Sequence, residues 1–253
     1  MRFKQSKIFL SGVAALLAAS SVRAQFDEGG WRAETYYASS YVARGVERTQ
    51  ASVQPSLEFS RENFRIAGWA NQPLSGAKNE AAELNLSAAY AREIGAGATL
   101  ELTAAHAWFD HGPGRGVERS FEIGANATFS SATLAGFTPT FGVFRDFRFE
   151  SNTAQLSLAR SIALTKLGTF LELSFFGGWS DGENWRPDAS GGAREDGYGY
   201  WGGDVRVPYQ IGRYGVIAGL HYADTTGRSG LSGPFTTGVG PHFWVTLGVS
   251  LDF

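Results

Sequence analysis

The chain has 253 residues, of which 43% are hydrophobic and 14% aromatic, and its 24 acidic residues slightly outnumber its 22 lysines and arginines. This balance argues against a nucleic-acid partner, which would require a basic surface. The chain contains no cysteine, which excludes disulfides, thiolate catalysis and cysteine-ligated metals.

The N-terminal segment has the pattern of a secretory signal peptide. It opens with the basic side chains of Arg2, Lys4 and Lys7. An apolar run over residues 8–19 follows, and it is shorter than the roughly 20 residues that a membrane-spanning helix requires. Small residues precede a cleavage site after Ala24. We therefore predict that residues 1–24 are removed on export and that residues 25–253 form one mature domain, which is acidic.

Period-2 alternation of apolar and polar residues, the pattern of a strand with two different faces, recurs along the mature chain. It is clearest between Phe243 and Phe253. The pattern predicts about twelve strands, with a range of about 10–14. They lie near residues 31–44, 52–60, 63–71, 80–92, 98–109, 117–130, 138–147, 153–162, 168–180, 197–209, 213–223 and 242–253.

The predicted links alternate between short and long. Short links such as Arg61-Glu62 alternate with long, glycine-rich links such as residues 181–196 and 224–241. Outer-membrane barrels alternate in this way, with short periplasmic turns, long extracellular loops and both termini in the periplasm. The sequence therefore predicts an all-β protein, a single closed antiparallel transmembrane barrel in the outer membrane of a Gram-negative bacterium.

Aromatic residues cluster near the predicted strand ends, where a barrel carries aromatic girdles at the two membrane interfaces. The predicted outer girdle contains Tyr37, Tyr41, Trp108, Trp179, Trp201, Tyr222 and Phe243. The predicted inner girdle contains Phe59, Phe64, Tyr90, Phe129, Tyr209, Tyr214 and Phe253. The alternative is that aromatics favour strands anywhere, which explains their number but not their positions.

Two segments carry resemblances to known proteins. Leu-Gly-Val-Ser-Leu-Asp-Phe, ending at Phe253, resembles the C-terminal signal of bacterial barrels, which implies the barrel-assembly machinery as a partner of the last strand. Residues 41–47 (Tyr-Val-Ala-Arg-Gly-Val-Glu) and 54–59 (Gln-Pro-Ser-Leu-Glu-Phe) resemble the opening of the TorF family, barrels classed as porins mainly from their architecture. This second resemblance covers about the first quarter of the mature chain and implies a small porin-like barrel.

In each predicted strand, the residues that alternate with the apolar ones share one face, and in a membrane barrel this face points into the lumen. The sequence therefore predicts a lumen lined by small and polar residues. The candidate lining residues are Arg44, Arg65, Glu83, Glu101, Glu122, Glu172, Asp204 and Arg206. Their carboxylates would favour cations in an open lumen. The alternative is that each carboxylate pairs with an arginine and stiffens a closed barrel.

Two features of the first hairpin have local explanations. Arg44 is predicted to close the first strand at the mouth of the lumen, or to pair with an interior carboxylate, and Gly45 permits a sharp turn after it. Pro55 lacks a backbone donor and predicts a bulge or an irregular pairing in the second strand.

The leading functional hypothesis is a porin-like channel for passive diffusion of ions or small hydrophilic solutes, without a cofactor or a metal. The alternative is a closed structural or ligand-binding barrel that acts through loops 181–196 and 224–241. A third hypothesis is a lipid-modifying enzyme that uses His106, which faces lipid near the outer rim. His106-Ala107-Trp108 lacks the His-x-Ser pair of outer-membrane phospholipases, so we predict an aromatic-belt histidine and no enzymatic activity.

Lipid is the other expected partner. Lys78 and Lys166 are the only lysines of the predicted mature chain, so its cations are nearly all arginines. Arginine suits fixed contacts with phosphate, which makes lipopolysaccharide phosphate a candidate partner in the outer membrane.

Overall fold

The computed structural model describes residues 29–75, 80–95, 97–110, 116–129, 135–148, 150–181, 197–226 and 240–253. The predicted signal peptide and most of the loops at 181–196 and 224–241 lie outside these residues. In the described part of the chain, no helix is long and apolar enough to span a membrane.

Fourteen strands make up the described structure. They are β1 (Gly30–Ala38), β2 (Tyr41–Ala43), β3 (Val46–Thr49), β4 (Ser52–Arg61), β5 (Phe64–Pro73), β6 (Ala82–Glu93), β7 (Ala98–Asp110), β8 (Val117–Phe129), β9 (Thr138–Asp146), β10 (Ser151–Leu164), β11 (Thr169–Ser180), β12 (Tyr198–Ile211), β13 (Tyr214–Thr225) and β14 (His242–Asp252).

Twelve of these strands form a closed antiparallel barrel, which confirms the predicted fold class and strand number. Each strand pairs with its neighbour in the chain, except that β1 pairs with β4, and β14 returns to pair with β1. The backbones of Trp31 and Phe253 exchange two hydrogen bonds at this seam. The closure satisfies the backbone groups of both terminal strands, so that no sheet edge remains in the barrel. The strands β2 and β3 form a separate two-stranded sheet.

The two ends of the barrel differ in their connections. We call the end where β1 begins, β14 ends and the turn Glu62-Asn63 lies the turn end. The opposite end, where β1 leads into β2, is the loop end. The predicted topology places the turn end in the periplasm and the loop end outside the cell.

The two faces of the barrel wall follow the predicted parity. Leu102 on β7 points outward and is 52% exposed, whereas its neighbour Thr103 points into the lumen and is 9% exposed. Large hydrophobic side chains are exposed in the same way around the wall, as Leu86, Phe141 and Leu247 illustrate. An apolar outer face of this extent is unfavourable in water and suits the hydrocarbon of a bilayer.

Aromatic rings on the inner face lie against glycines of neighbouring strands. A Cβ atom added at Gly248 would stand 2.4 Å from the ring of Tyr36, and one added at Gly124 would stand 2.4 Å from the ring of Phe144. The rings occupy space that a side chain at these positions would fill. Glycine therefore allows the aromatic ring to pack closely against the strand. These inward-facing rings narrow the lumen, although the neighbouring positions on the inner face are glycines.

The pairing between β4 and β5 is interrupted at Gln54 and Pro55. Val53 pairs with Gln72 and Ser56 pairs with Trp69, while the two residues between have no partner on β5. The register is the same on both sides of this gap, so β4 has no bulge at Pro55, and the missing pairs agree with the irregular pairing expected of a residue that has no N–H group.

Candidate functional site: a hairpin in the lumen

The segment between β1 and β4 folds back into the barrel as a β-hairpin, which we call the lumen hairpin (residues 39–51). Its strands pair antiparallel, with Ala43 opposite Val46 and Tyr41 opposite Thr49. All three residues of β2 are buried, and Val46 on β3 has no exposed surface. The hairpin therefore fills the lumen near the loop end and does not project outward from the rim.

The predicted first strand over residues 31–44 is wrong in this region, because β1 ends at Ala38 and the chain then bends through Ser39 and Ser40. Successive residues of a lumen hairpin also point to two different environments. The period-2 pattern of the sequence therefore continues through Ser39 and Ser40 and gives no sign of the bend. The prediction that Arg44 closes the first strand at the lumen mouth is wrong for the same reason, since this residue lies at the tip of the hairpin.

The tip of the hairpin is a two-residue turn. Arg44 and Gly45 have φ angles of 50° and 76°, and a type I′ turn requires positive φ at both of these central positions. The sharp turn predicted at Gly45 is confirmed. A Cβ atom at Gly45 would stand 2.7 Å from Thr225 and 2.9 Å from Tyr200, so the tip is pressed against the wall formed by β12 and β13.

A buried ion pair ties the tip to the opposite side of the barrel. Arg44 Nη2 lies 2.8 Å from Glu122 Oε2 on β8, and the two side chains are only 2% and 3% exposed. The guanidinium also lies over the ring of Phe144, 5.5 Å from its centroid. Burial by itself would lower the pKa of Arg44, but the Glu122 carboxylate raises it above its usual value. This pair brings together two predicted lining residues that are far apart in the sequence.

Arg48 is the second buried cation of the hairpin. Val42 pairs with Glu47 and Tyr41 pairs with Thr49, so Arg48 is the extra residue of a β-bulge. The side chain is 9% exposed, and its Nε and Nη2 atoms have no hydrogen-bond partner within the described residues. Burial lowers the pKa of this guanidinium, although arginine remains charged at any physiological pH. A buried charge without hydrogen-bond partners destabilises the folded hairpin, so the other contacts of the hairpin must offset this cost to keep it in the lumen.

Polar contacts fix the base of the hairpin to β5 and to the segment before β6. Ser40 Oγ donates to Glu47 Oε1 at 2.6 Å within the hairpin. Asn71 Nδ2 on β5 donates to Thr49 Oγ1 at 3.4 Å, and the Gln50 backbone N–H donates to Glu80 Oε1 at 2.7 Å. These bonds hold the base, while the Arg44–Glu122 pair holds the tip.

Aromatic side chains of the wall pack against the hairpin. Val46 packs with Tyr198 and Tyr200 of β12, and Phe176 of β11 completes this cluster. On the other side, the ring of Tyr41 lies 5.4 Å from that of Trp69, and its hydroxyl donates to Glu83 Oε2 at 3.4 Å. Placing Tyr41 in the outer aromatic girdle is therefore wrong, because the ring is 6% exposed and lies in the lumen.

The remaining members of the predicted girdles lie on the barrel strands, except Phe253, which directly follows β14. Among them, Trp179, Trp201, Tyr214 and Phe253 are between 48% and 60% exposed on the outer face. Trp201 contacts Tyr222 at 5.0 Å and Tyr222 contacts Phe243 at 4.6 Å, each between ring centroids. The outer girdle is thus a connected row of rings on β12, β13 and β14.

Below the hairpin, the lumen contains paired charges. Arg65 contacts Glu101 at 3.1 Å and Glu58 at 3.6 Å, and Arg206 contacts Glu172 at 3.3 Å. These side chains are between 13% and 33% exposed, in contrast to the fully enclosed pair at the hairpin tip. The turn-end section of the lumen is therefore polar and less completely filled than the section that contains the hairpin, and the carboxylates of these pairs outnumber the arginines.

A chain of hydrogen bonds crosses four adjacent strands at mid-height. Ser174 Oγ donates to Asp204 at 2.7 Å, and the other Asp204 oxygen lies 2.6 Å from Nδ1 of His221. Nε2 of His221 lies 2.9 Å from Thr246 Oγ1, and the imidazole stacks on Trp244 with an interplanar angle of 13°. The contacts fix both nitrogens of the ring, so this network stiffens the wall beside the charge pairs.

The lumen hairpin and Arg48 were not predicted from the sequence. The available signal was Arg44-Gly45 between two short alternating runs, since Gly in a two-residue link is typical of a hairpin. The network at His221 was also missed, because Asp204, His221 and Thr246 are far apart in the chain and become neighbours only through strand pairing.

Other predicted features lie elsewhere. His106 faces outward on β7, with its ring 4.2 Å from Trp108 and 6.4 Å from Phe121, as expected for an aromatic-belt histidine. Within the described ranges, no group of three or more His, Asp or Glu side chains could hold a metal ion. Most of the acidic loop at 181–196 lies outside the described residues.

Comparisons with known proteins identify the architecture of the chain but no protein family. No protein-family model matches the chain, and no curated protein matches its sequence. The resemblance to the TorF family therefore depends only on residues 41–59.

Solved structures match almost the whole chain. The KdgM porin, in a structure with disordered oligogalacturonate, has a TM-score of 0.53 at 7% identity and covers 88% of this chain and 99% of that chain. An outer-membrane channel from Pseudomonas putida F1 has a TM-score of 0.51 at 12% identity and covers 89% and 96%, respectively. The NanC porin has a TM-score of 0.51 at 8% identity and covers 87% and 98%. The chain thus has the fold of small outer-membrane β-barrels.

Proposed function

We propose that the protein is an outer-membrane channel for ions or small hydrophilic solutes, in which the lumen hairpin sets the constriction. The observation that carries this proposal is the division of the lumen into a section filled by the hairpin and a polar section of partly exposed charge pairs. The shared fold with porins supports it. Export through the signal peptide at residues 1–24 and assembly through the strand that ends at Phe253 belong to the same proposal.

The test is a single-channel recording with and without the hairpin. Ala38 and Ser52 are paired directly across β1 and β4, so Asn-Gly in place of residues 39–51 would join them by a tight turn. We expect the conductance of this variant to exceed that of the wild type several-fold, because the hairpin and its side chains no longer occupy the lumen.

The matched control shortens the link between β7 and β8 and leaves the lumen hairpin intact. Asp110 and Val117 are also paired directly, so Asn-Gly in place of residues 111–116 makes the same kind of change at the same end of the barrel. This control should conduct like the wild type. A correctly folded barrel that stays silent without its lumen hairpin would contradict the channel function.

Lumen charge gives a second prediction for the channel. Each lining glutamate below the hairpin contacts an arginine, as the second interpretation of the sequence proposed. The three glutamates nevertheless outnumber the two arginines, so we expect a moderate cation preference in the wild type. Replacing Arg65 and Arg206 together by Gln leaves Glu58, Glu101 and Glu172 without these counter-charges. The reversal potential across a salt gradient should then shift towards cation selectivity.

The control for this measurement is the reverse change, in which Glu101 and Glu172 are replaced by Gln and the arginines are kept. The reversal potential should shift towards anion selectivity. Equal reversal potentials for both double variants and the wild type would show that these pairs do not line the conducting path.

The burial of the lumen hairpin gives one reason to consider a closed barrel that binds a ligand through its outer loops. In that case the hairpin is a permanent plug, and the wild type carries no current, whether or not the variant without the hairpin conducts. The recording above therefore decides between the two functions. His106 contacts aromatic rings on the outer face, and we propose no lipid-modifying activity for it.

A further inference from the structure

Two arginines interrupt the apolar outer face near the loop end. Arg119 on β8 shares its parity with Val117 and Phe121, which are 56% and 42% exposed. Arg145 on β9 shares its parity with Val143, which is 44% exposed. Both arginines are therefore oriented towards the bilayer and not towards the lumen.

Neither arginine has a salt bridge with a carboxylate of the described residues. Arg145 Nη1 donates a hydrogen bond of 3.0 Å to the backbone oxygen of Glu150. Arg119 on β8 is paired with Trp108 on β7. An arginine on the lipid face of a barrel is strongly destabilising at the bilayer midplane and costs little near the interface. Such side chains are thus expected at the level of charged headgroups, where an anion can neutralise them.

The two arginines lie on either side of an aromatic group centred on Phe121. The Phe121 ring stacks on that of Phe147 at 5.8 Å and lies 6.4 Å from that of His106. Arg119 lies two residues further out along β8, and Arg145 pairs with Ile123, two residues further in. We call His106, Arg119, Phe121, Arg145 and Phe147 the β7–β9 patch.

The separation of the two cations suits a ligand with two phosphate groups. The positions of Arg119 and Ile123 differ by four residues, or roughly 13 Å along β8, and the neighbouring strand adds about 5 Å in the perpendicular direction. Guanidinium groups bind phosphate through two parallel hydrogen bonds, and their long side chains can converge or spread. The aromatic rings between them provide a surface for acyl chains and sugar rings at the interface.

We propose that the β7–β9 patch binds the phosphate groups of a phosphorylated glycolipid of the outer leaflet, the lipid A part of lipopolysaccharide. The patch lies at the loop end, which the predicted topology places outside the cell. Lipid binding at the patch requires this orientation in the membrane but does not require that the barrel conducts ions.

The test is a titration of the detergent-folded mature protein with diphosphoryl lipid A, followed by native mass spectrometry. The wild type should retain diphosphoryl lipid A more strongly than monophosphoryl lipid A or phosphatidylglycerol. Replacing Arg119 and Arg145 together by Gln should weaken the binding of diphosphoryl lipid A at least tenfold. The measurement involves no current, so its result is distinct from the result of the channel recording.

The matched control removes two other arginines of the outer face. Arg92 on β6 and Arg160 on β10 are exposed near the turn end, and Arg160 lies over the ring of Phe137, 5.5 Å from its centroid. Replacing both by Gln changes the net charge equally and should leave lipid A binding at the wild-type level. An equal loss in this control, an undiminished affinity in the Arg119 and Arg145 variant, or equally strong binding of phosphatidylglycerol would each overturn the proposal.

Discussion

Replacing Glu122 by Gln should release the tip of the lumen hairpin from the barrel wall. The pair with Arg44 is enclosed by protein, and removing one partner of a buried ion pair typically costs about 3–5 kcal/mol. Gln keeps the shape and a hydrogen-bonding oxygen, so we expect the low end of this range, or about a hundredfold increase in the population of the released hairpin. The measurement is the rate of tryptic cleavage after Arg44 and Arg48 in the folded barrel, identified by mass spectrometry, since both bonds are buried in the wild type.

The Glu101→Gln variant is the matched control, because it makes the same chemical change in a partly exposed pair that lies away from the hairpin. Its cleavage rate after Arg44 should equal that of the wild type. A second variant with Arg44 and Glu122 both replaced by Gln removes both charges of this pair but keeps the Arg48 cleavage site, and it should be cleaved more slowly after Arg48 than Glu122→Gln alone. Equal rates of cleavage after Arg48 in all four proteins would contradict the role of this pair.

Replacing Gly124 by Val should destabilise the barrel itself. A Cβ atom at this position would stand 2.4 Å from the ring of Phe144 and 2.7 Å from Thr103 Oγ1, and Phe144 also lies within 3 Å of a Cβ placed at Gly142. The ring of Phe144 thus packs against Gly142 on its own strand and Gly124 on β8. Moving the ring away from these positions would break its contact with Arg44 at the hairpin tip. Overpacking of this kind costs about 1–3 kcal/mol and sometimes more.

The stability of the folded barrel in urea gives the measurement, with the electrophoretic mobility of unheated and heated samples as the test of folding. Gly177→Val is the matched control, since this glycine shares the outward parity of Phe175 and a Cβ atom there would be 3.7 Å from its nearest neighbour. We expect Gly124→Val to lose stability and Gly177→Val to keep it. The reverse order would show that the inner rings do not require the glycines.

The barrel could be predicted from the sequence because the bilayer and the lumen impose opposite demands on successive residues. Alternation over segments such as 98–109 and 242–253 predicted strands that the structure places within one or two residues of those bounds. The same parity identified Glu101, Glu172 and Arg206 as inward-facing. It could not predict their partners, because ion pairing depends on register between strands, and register is fixed by the turns and by closure of the whole sheet.

The sequence by itself determined a barrel of about twelve strands with an apolar outer face and a polar inner face, since both faces follow from a period of two in a chain exposed to lipid on one side. Only the tertiary structure decided where residues 39–51 lie. The alternation through Tyr41 and Arg44 fits a strand that continues along the wall as well as a hairpin that turns into the lumen. The second arrangement depends on contacts with Glu122, Tyr198 and Tyr200, residues distant in the sequence that only the closed barrel brings to face the hairpin.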